Sequence, residues 1–473
     1  MSRPQTSVSA AQVGDAAAAP PEPSFVPRKE GVTDGAWDKH DRLAVLEALQ
    51  DAEAAAQHRE PSAAPAPSDA TPPSSFREYM RLPPLERKIL LGLSDAEYAE
   101  LAKSLGEKAF RGKQMRTAVV GGARSIGDIT TLSKALRQRL EEEGWRTGRS
   151  AVHHRVESHD GVHKFLLRLA DGRVVETVGI PSLDNDGKRL TACVSSQVGC
   201  PMRCTFCATG KGGYARNLLV HEIVDQVLTI QEELGRRVSN VVFMGMGEPL
   251  LNLPSVLEAV TFLNEDLGIS MRKITISTVG VPNAIPRLAA AHLQATLAVS
   301  IHAPTQQLRE QIVPSAKAYP IEALMKDCAE YFKATGRRVS FEYTLLSGVN
   351  DGPEHAAELA RLLRRHGLGG PSNPALMGSS RRGNRGGAQE DNSAPPSSSW
   401  HVNLIPWNPV DESEFKRPSR DTVRRFKEAL ESKGIPCSVR QTRGLEAAAA
   451  CGQLRNRYQK EPVEGFAGIE AQV

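Results

Sequence analysis

The sequence predicts an α/β protein: an open, partial α/β barrel of about six parallel strands, preceded by a small helical accessory domain and a short β-hairpin segment. Three observations predict this class. A strand-then-helix rhythm repeats from residue 191 to 441, and such alternation implies a parallel sheet joined by right-handed crossovers. Residues 151–180 switch to an apolar period of two and are cut by HDG and ADG, both good hairpin turns. Residues 85–148 carry helical periodicity instead. A doubly wound sheet is the competing architecture. Six units favour the open barrel, with chemistry at the carboxyl ends of its strands.

In chain order, residues 1–75 read as a disordered tail, because stretches such as PSAAPAPSDATPPSS cannot bury enough apolar surface to offset chain entropy. The first 14 residues lack acids and contain Ser, Thr and Arg3, which suggests a transit segment and a plastid address. The acids from Asp15 onward argue against a long one, and a cytoplasmic protein is the alternative. Residues 76–150 form the accessory domain. Its expected helices are LERKILLGL, SDAEYAELAKSLG with Ser94 as N-cap, RGKQMRTAVV and LSKALRQRLEEEGW. Residues 151–185 are the hairpin connector. The barrel spans 186–455, with strands expected at 191–197, 239–245, 272–278, 294–302, 337–346 and 401–407. Helices are expected at 219–234, 254–267 and 354–367. Residues 369–399, rich in Gly, Ser, Pro and Asn, interrupt the barrel as a disordered surface insertion, and 456–473 form a C-terminal tail.

At 473 residues the chain can hold two or three domains, or one large barrel with appendages. No run of 18 uncharged apolar residues exists, so no membrane partner is expected. Residues 1–75 carry 6 Lys and Arg against 11 Asp and Glu, a net of −5, and the remainder carries 53 against 44, a net of +9. A mildly basic body suits a polyanion, although an ordinary solvated surface has the same balance. Seven cysteines with three in one loop point to free thiols in a reducing compartment.

Cys200, Cys204 and Cys207 form a C-x3-C-x2-C run within CVSSQVGCPMRCTFC. Three thiolates so close in sequence can hold three irons of a [4Fe-4S] cube and leave the fourth open for reaction. Zinc is the rival, since Cys193 offers a fourth soft ligand, but structural zinc usually takes paired C-x2-C ligands. Further strings end candidate strands: GMGEPLLN (245–252), ISTVG, SIHAP and IPWNP. QTRGLEAAAACGQL (441–454) then brings a cysteine back near the C-terminus.

Phe206 between the last two cysteines resembles the cluster loop of radical-SAM enzymes. CVSSQVGC, MGMGEPLLN, LIPWNP and ACGQL, in that order, resemble the RlmN/Cfr family of radical-SAM adenine methyltransferases of ribosomal and transfer RNA. The resemblance runs from about Leu85 to Leu454. It implies that Cys200, Cys204 and Cys207 ligate the cluster. Gly247 and Glu248 would contact the amino group and backbone of S-adenosylmethionine (SAM), with Ser277, Ser300, Ile301, His302 and Asn408 completing its pocket. Cys451 would carry a methyl group, Cys193 would resolve it, and Glu176 would be the base. Two SAM molecules would be used per turnover, with an electron donor for the cluster and a thiol reductant for the resulting disulfide. Three departures stand out: four extra residues between Glu176 and Cys193, Val279 where a Ser is frequent, and Leu445 and Glu446 where a pair of acids is frequent. Glu176 would then depend on a longer loop folding back.

The function implied is methylation of adenosine at carbon-2 in large-subunit rRNA and in tRNA, by a monomer. Carbon-8 methylation is the alternative within the family. A zinc-stabilised RNA-binding module without catalysis is the alternative outside it. Arg111, Lys113 and Arg116 in FRGKQMR are the expected RNA-holding surface, because a target base must leave its stack to reach a barrel mouth. Cys328 and Cys437 are expected to be packing residues.

Overall fold

The computed structural model describes residues 88–183, 189–367, 400–410 and 413–454. The expectations for 1–75, 369–399 and 456–473 lie outside the described residues.

Local chemistry sets the accessory helices. Ser94 adopts an extended backbone before α1 (Asp95–Ser104). Its Oγ accepts the Glu97 amide at 3.3 Å while the Glu97 carboxylate accepts the Ser94 amide at 2.7 Å. This reciprocal cap contributes about 1 kcal/mol. Helix α2 (Phe110–Val120) follows, and Ser133 caps α3 (Lys134–Glu142) through the Leu136 amide. Tyr98, Leu101, Met115, Val119, Leu136 and Leu140 close the small core between them.

LERKILLGL does not form a helix over its described part. Ile89 bridges Arg146, and the Leu90 and Leu91 amides donate to the Arg146 and Thr147 carbonyls. A short apolar run fits a buried extended segment as well as a helix turn, and pairing with the segment after α3 decides the matter.

The 151–181 region is a meander of β1 (Ala151–Glu157), β2 (His163–Arg168) and β3 (Val174–Pro181), antiparallel throughout. It extends the main sheet: β3 pairs antiparallel with β4 (Leu190–Cys193), with Val178 opposite Cys193. A separate hairpin, β5 (Gln197–Gly199) and β6 (Tyr214–Asn217), brackets the cysteine loop and its one-turn helix α4 (Ala208–Lys211). The other strands are β7 (Asn240–Phe243), β8 (Ile274–Thr278), β9 (Thr296–Ser300), β10 (Val339–Leu345), β11 (Trp400–Pro406) and β12 (Cys437–Val439). From β4 they run parallel in the order β4-β7-β8-β9-β10-β11-β12. The six expected strands are present, and β12 adds a seventh parallel one.

Helices α5 (Val220–Leu234), α6 (Leu253–Glu265), α7 (Ala284–Ala290), α8 (Gln306–Ile312), α9 (Ile321–Thr335), α10 (Pro353–Arg365) and α11 (Arg420–Glu431) make the crossovers and flanks. Strand residues such as Phe243, Ile276, Val299 and Phe341 are buried near-continuously, as strands covered by helices must be. Cys328 is fully buried on α9, and the Cys437 thiol is partly buried against the Lys427 carbonyl.

Ion pairs fasten the accessory helices to the barrel. The buried Arg149 guanidinium donates to Asp225 and, at 2.8 Å, to Glu232, while the Ser150 amide takes the second Asp225 oxygen at 2.7 Å. Removing one partner of such a pair costs about 3–5 kcal/mol, because the other charge stays buried. Arg116 is spent the same way, on Asp95 and Asp266. It belongs to the domain contact; of the other two cations of α2, Lys113 is exposed, while Arg111 is partly buried and 3.6 Å from the Glu107 carboxylate. Arg111 lies 5.0 Å from the ring centre of Phe110, which is 52% exposed.

Candidate active site

The strand ends meet at the segment following β4. Ser195 Oγ donates to the Glu176 carbonyl at 2.6 Å and accepts the Met246 amide at 2.9 Å. The buried Gln226 side chain clamps the Ser195 backbone through both its amide and its carbonyl. Two glycines are forced by geometry here. A Cβ on Gly199 (φ +80°) would sit 2.0 Å from the Gly213 carbonyl oxygen, and one on Gly247 (φ +106°) 2.6 Å from the Gln197 Cβ. GMGE therefore lies flat on QVGC, locked by the Glu248 amide donating to Gln197 Oε1 at 2.8 Å. The Glu248 carboxylate accepts the Leu250 amide at 3.0 Å and the Val279 amide at 2.9 Å. Since Val279 contributes its main chain, a Val at this position leaves the contact intact. Burial lifts Glu248 to a pKa of about 7.

Cys200, Cys204 and Cys207 are free thiols on this loop. Burial pushes Cys200 and Cys204 well above the usual thiol range, and acidic neighbours add to it: Cys204, Cys207 and Glu248 for Cys200, and Cys207 and Glu248 for Cys204. The loop is held by the Cys200 amide on the Gly213 carbonyl, the Thr205 amide on the Ile312 carbonyl, and the Trp407 indole on the Phe206 carbonyl at 3.0 Å. Phe206 packs edge-on against His302, with centroids 4.9 Å apart. His302 adopts φ 54°, and its Nδ1 accepts the Thr344 amide at 3.0 Å. Burial, then Arg309, lowers it to about 3, so the ring is neutral and its proton is assigned to Nε2. Ser277 and Ser300 stand at the ends of β8 and β9, and Ile301 is buried between Ser300 and His302.

These residues fit a cluster better than zinc. Structural zinc takes four closed ligands, usually as paired C-x2-C thiolates, whereas a cube with one open iron needs three. Cys193, the supposed fourth zinc ligand, has Cys451 and Arg440 as its charged neighbours. Arg309 supplies a further sign. It is fully buried, its Nε donates to the Ile301 carbonyl at 3.1 Å, and Cys204 is its chief thiolate influence. Its Nη1 has no hydrogen-bond partner among the described residues. A buried cation with an unspent N–H suits an anionic group in this loop.

Cys451 lies in the irregular segment 441–454 and is exposed. The segment is clipped to the cysteine loop: the Ala208 amide donates to the Gly452 carbonyl at 2.8 Å and Thr209 Oγ1 to the Leu454 carbonyl at 2.6 Å. It is also tied to the meander by Arg443 on Asp160 and by His159 on Glu446. Ala448 within it holds φ 47°, a left-handed conformation costing about 1–3 kcal/mol outside glycine. Asn408, expected beside SAM, lies two residues after β11. Its Nδ2 donates to the Cys451 carbonyl at 3.0 Å, and its Oδ1 accepts from Arg417 at 2.8 Å and Thr442 at 3.2 Å. Its side chain is thus committed to the Cys451 segment.

Cys193 ends β4, buried, its pKa pushed up to about 12 by burial and by Cys451 while Arg440 opposes. Cys451 shares Arg440 as its cationic neighbour. The Arg440 Nη1 stands 3.3 Å from Met244 Sδ and 3.9 Å from the buried Glu342 carboxylate. Glu176 is buried on β3, with its carboxylate 3.6 Å from Lys164 Nζ. The antiparallel β3–β4 ladder pairs Val178 with Cys193, two residues from Glu176 on β3; residues 184–188 of the connection lie outside the described residues. Sequence reading missed Lys164, Arg309, Glu342 and Arg440. Glu342 and Arg440 had a usable signal, as a carboxylate in the middle of an apolar parallel strand and a cation just after another.

A model of the radical SAM superfamily matches residues 194–362. The chain is 53% identical over 368 residues to a probable dual-specificity RNA methyltransferase RlmN of Thermosynechococcus vestitus, covering 78% of this chain and 98% of that protein. It is 50% identical over 371 residues to the protein of the same name from Nostoc punctiforme, covering 77% and 93%. Among solved structures it matches a radical SAM methyltransferase from Sphaerobacter thermophilus at 38% identity and a TM-score of 0.67, covering 78% of this chain and 99% of that one. Identity of 50–53% across almost the whole length of those relatives leads to one assignment: the chain belongs to the RlmN family of radical-SAM RNA methyltransferases.

Proposed function

We propose that the enzyme methylates adenosine at carbon-2 in large-subunit ribosomal RNA and in transfer RNA, with two SAM molecules consumed per turnover. The observation that carries this reading is the assembly of Cys451, Cys193 and Glu176 around one cysteine loop. No binding module has a use for that trio. That there is more than one kind of RNA target is in keeping with the words dual-specificity RNA methyltransferase in the relatives' names. Cys200, Cys204 and Cys207 would hold the [4Fe-4S] cluster, with Glu248 and the β8 and β9 ends around SAM. Bound there, the two would supply one-electron chemistry that activates a methyl group held on sulfur and would take back the odd electron when the ring proton leaves.

The chain's own residues do the rest. An adenine ring carbon of this kind is electrophilic and cannot attack a methyl donor directly, so the carbon must first be carried on sulfur. Cys451 carries it, and Asn408 fixes the carbonyl of that residue. Glu176 accepts the ring proton once the carbon is bonded to adenine. Cys193 sulfur then attacks Cys451 sulfur. The S–S bond forms as the C–S bond breaks, and the electron pair leaves with the carbon, which takes a proton to complete the methyl group. The disulfide is reduced by an external thiol before the next turnover. Nucleoside mass spectrometry of RNA treated with reconstituted enzyme should show 2-methyladenosine. An 8-methyl product, or none, would overturn the proposal.

The RNA-holding surface is proposed to be α2, where the exposed Phe110 offers a stacking face between cations. Changing Arg111 and Lys113 together to Ala should weaken RNA binding. The slope of log affinity against log salt should flatten by about one for each phosphate that is no longer neutralised. An unchanged slope in a filter-binding titration would move the surface elsewhere.

A further inference from the structure

We infer that Lys164 is a positioning residue that sets the Glu176 carboxylate and the Cys451 segment against one another. The inference rests on the reading of Glu176 as the proton acceptor. Lysine is almost never buried unless paired, yet the Lys164 side chain is only 10% exposed. Its Nζ makes two contacts there: 3.6 Å to Glu176 Oε2, and a 3.2 Å hydrogen bond to the Ala448 carbonyl, three residues before Cys451. One ammonium therefore joins the base to the segment that presents the methyl carrier.

The sheet register makes this more than a chance surface pair. Lys164 stands opposite Val178, and Val178 opposite Cys193, so one rung carries Lys164 and Cys193 across three strands. Rung neighbours project to the same face, and so does Glu176, two residues from Val178 on β3. Base, resolving cysteine and ammonium thus share one face of a rigid sheet. The Cys451 segment, by contrast, is irregular and holds a left-handed Ala448. Backbone in that conformation persists only when its surroundings over-determine it. The Lys164 bond to the Ala448 carbonyl is one such constraint, and it anchors the irregular segment to the rigid strand that bears the base.

The test uses the full chain with its cluster reconstituted, comparing Lys164→Met and Lys164→Arg with wild type. Lys164→Met is expected to lower kcat by ten-fold or more with the KM for RNA little changed. It should also accumulate the covalent Cys451–RNA adduct, because proton removal lags behind carbon–carbon bond formation. Lys164→Arg keeps a cation with several donors and should recover most of the rate. Should Lys164→Met assemble no cluster, Lys164→Gln, which keeps a donor for Ala448 without the charge, replaces it with the same expectation of adduct. Wild-type kcat and no adduct in the uncharged variants would overturn the inference. So would equal loss in Lys164→Arg and Lys164→Met without adduct, which is the signature of simple misfolding. Glu176→Gln separates the two ideas. If it stalls as adduct while the Lys164 variants turn over normally, only the Lys164 inference falls; full turnover by Glu176→Gln overturns both.

Discussion

Alanine in place of Cys193 is expected to leave RNA covalently attached to Cys451. The variant keeps Cys451 and the cysteine loop, so the carbon can still be loaded and joined to adenine. What it lacks is the sulfur that must attack Cys451 and break the C–S bond. The product should appear as a slow-migrating band that nuclease collapses, with turnover falling to background. Cys451→Ala should give neither band nor methylated nucleoside. In wild-type protein purified with an intact cluster, the Cys451 peptide should be heavier by one methylene. Full turnover by Cys193→Ala, or a Cys451 peptide that is never heavier, would sink the sulfur-carrier mechanism. The burial of Cys193 sharpens the expectation: its thiol is raised to about 12, so it is largely protonated until the site rearranges to activate it. That leaves it unreactive towards outside electrophiles and disposed towards its neighbour.

The second large effect concerns the cluster. Cys204→Ala should abolish both cluster assembly and SAM cleavage, because three ligands serve three irons and none is spare. Iron and sulfide content after anaerobic reconstitution, with the visible absorbance bleached by dithionite, would report it. A Cys204→Ala protein that cleaves SAM at the wild-type rate would refute the ligand assignment, and one bound zinc in colourless wild-type protein would revive the zinc module. The Cys204 side chain is also buried in the core, so cutting it back to Ala removes packing contacts there. Some loss of stability should accompany the loss of iron, visible as a lower Tm than that of wild-type apoprotein.

Much of the barrel was legible because its signals are local. Runs such as VVF, ITI and TLAV are too apolar to face water on either side, and each is followed by an amphipathic helix. The Ser94 box is spelled out within four residues. The errors all involve partners distant in sequence. Nothing within LERKILLGL says that Arg146 will pair with Ile89. Nothing within FRGKQMR says that Arg116 will meet Asp266 on the barrel. The meander reads as a hairpin from its turns, but its fusion to the main sheet depends on β4, whose four residues carry no register of their own. Asn408 sits in a motif, yet only the fold shows its amide turned to the Cys451 carbonyl. Lys164 and Arg309 look like ordinary surface cations because their burial is created by elements elsewhere in the chain.

The clasp between Thr209 and Leu454 joins residues 245 positions apart. A ribosome adding about 5–20 residues per second needs roughly 10–50 s to travel from one to the other. For much of that interval the cysteine loop stands clear of the ribosome while the segment that will cover its flank has not been made. The nascent chain therefore passes through a stage in which three thiols are accessible and Cys451 does not yet exist to compete for iron or to be oxidised with them. Metal delivery during synthesis meets an open loop. Delivery after release meets one whose flank is already clasped by the C-terminal segment.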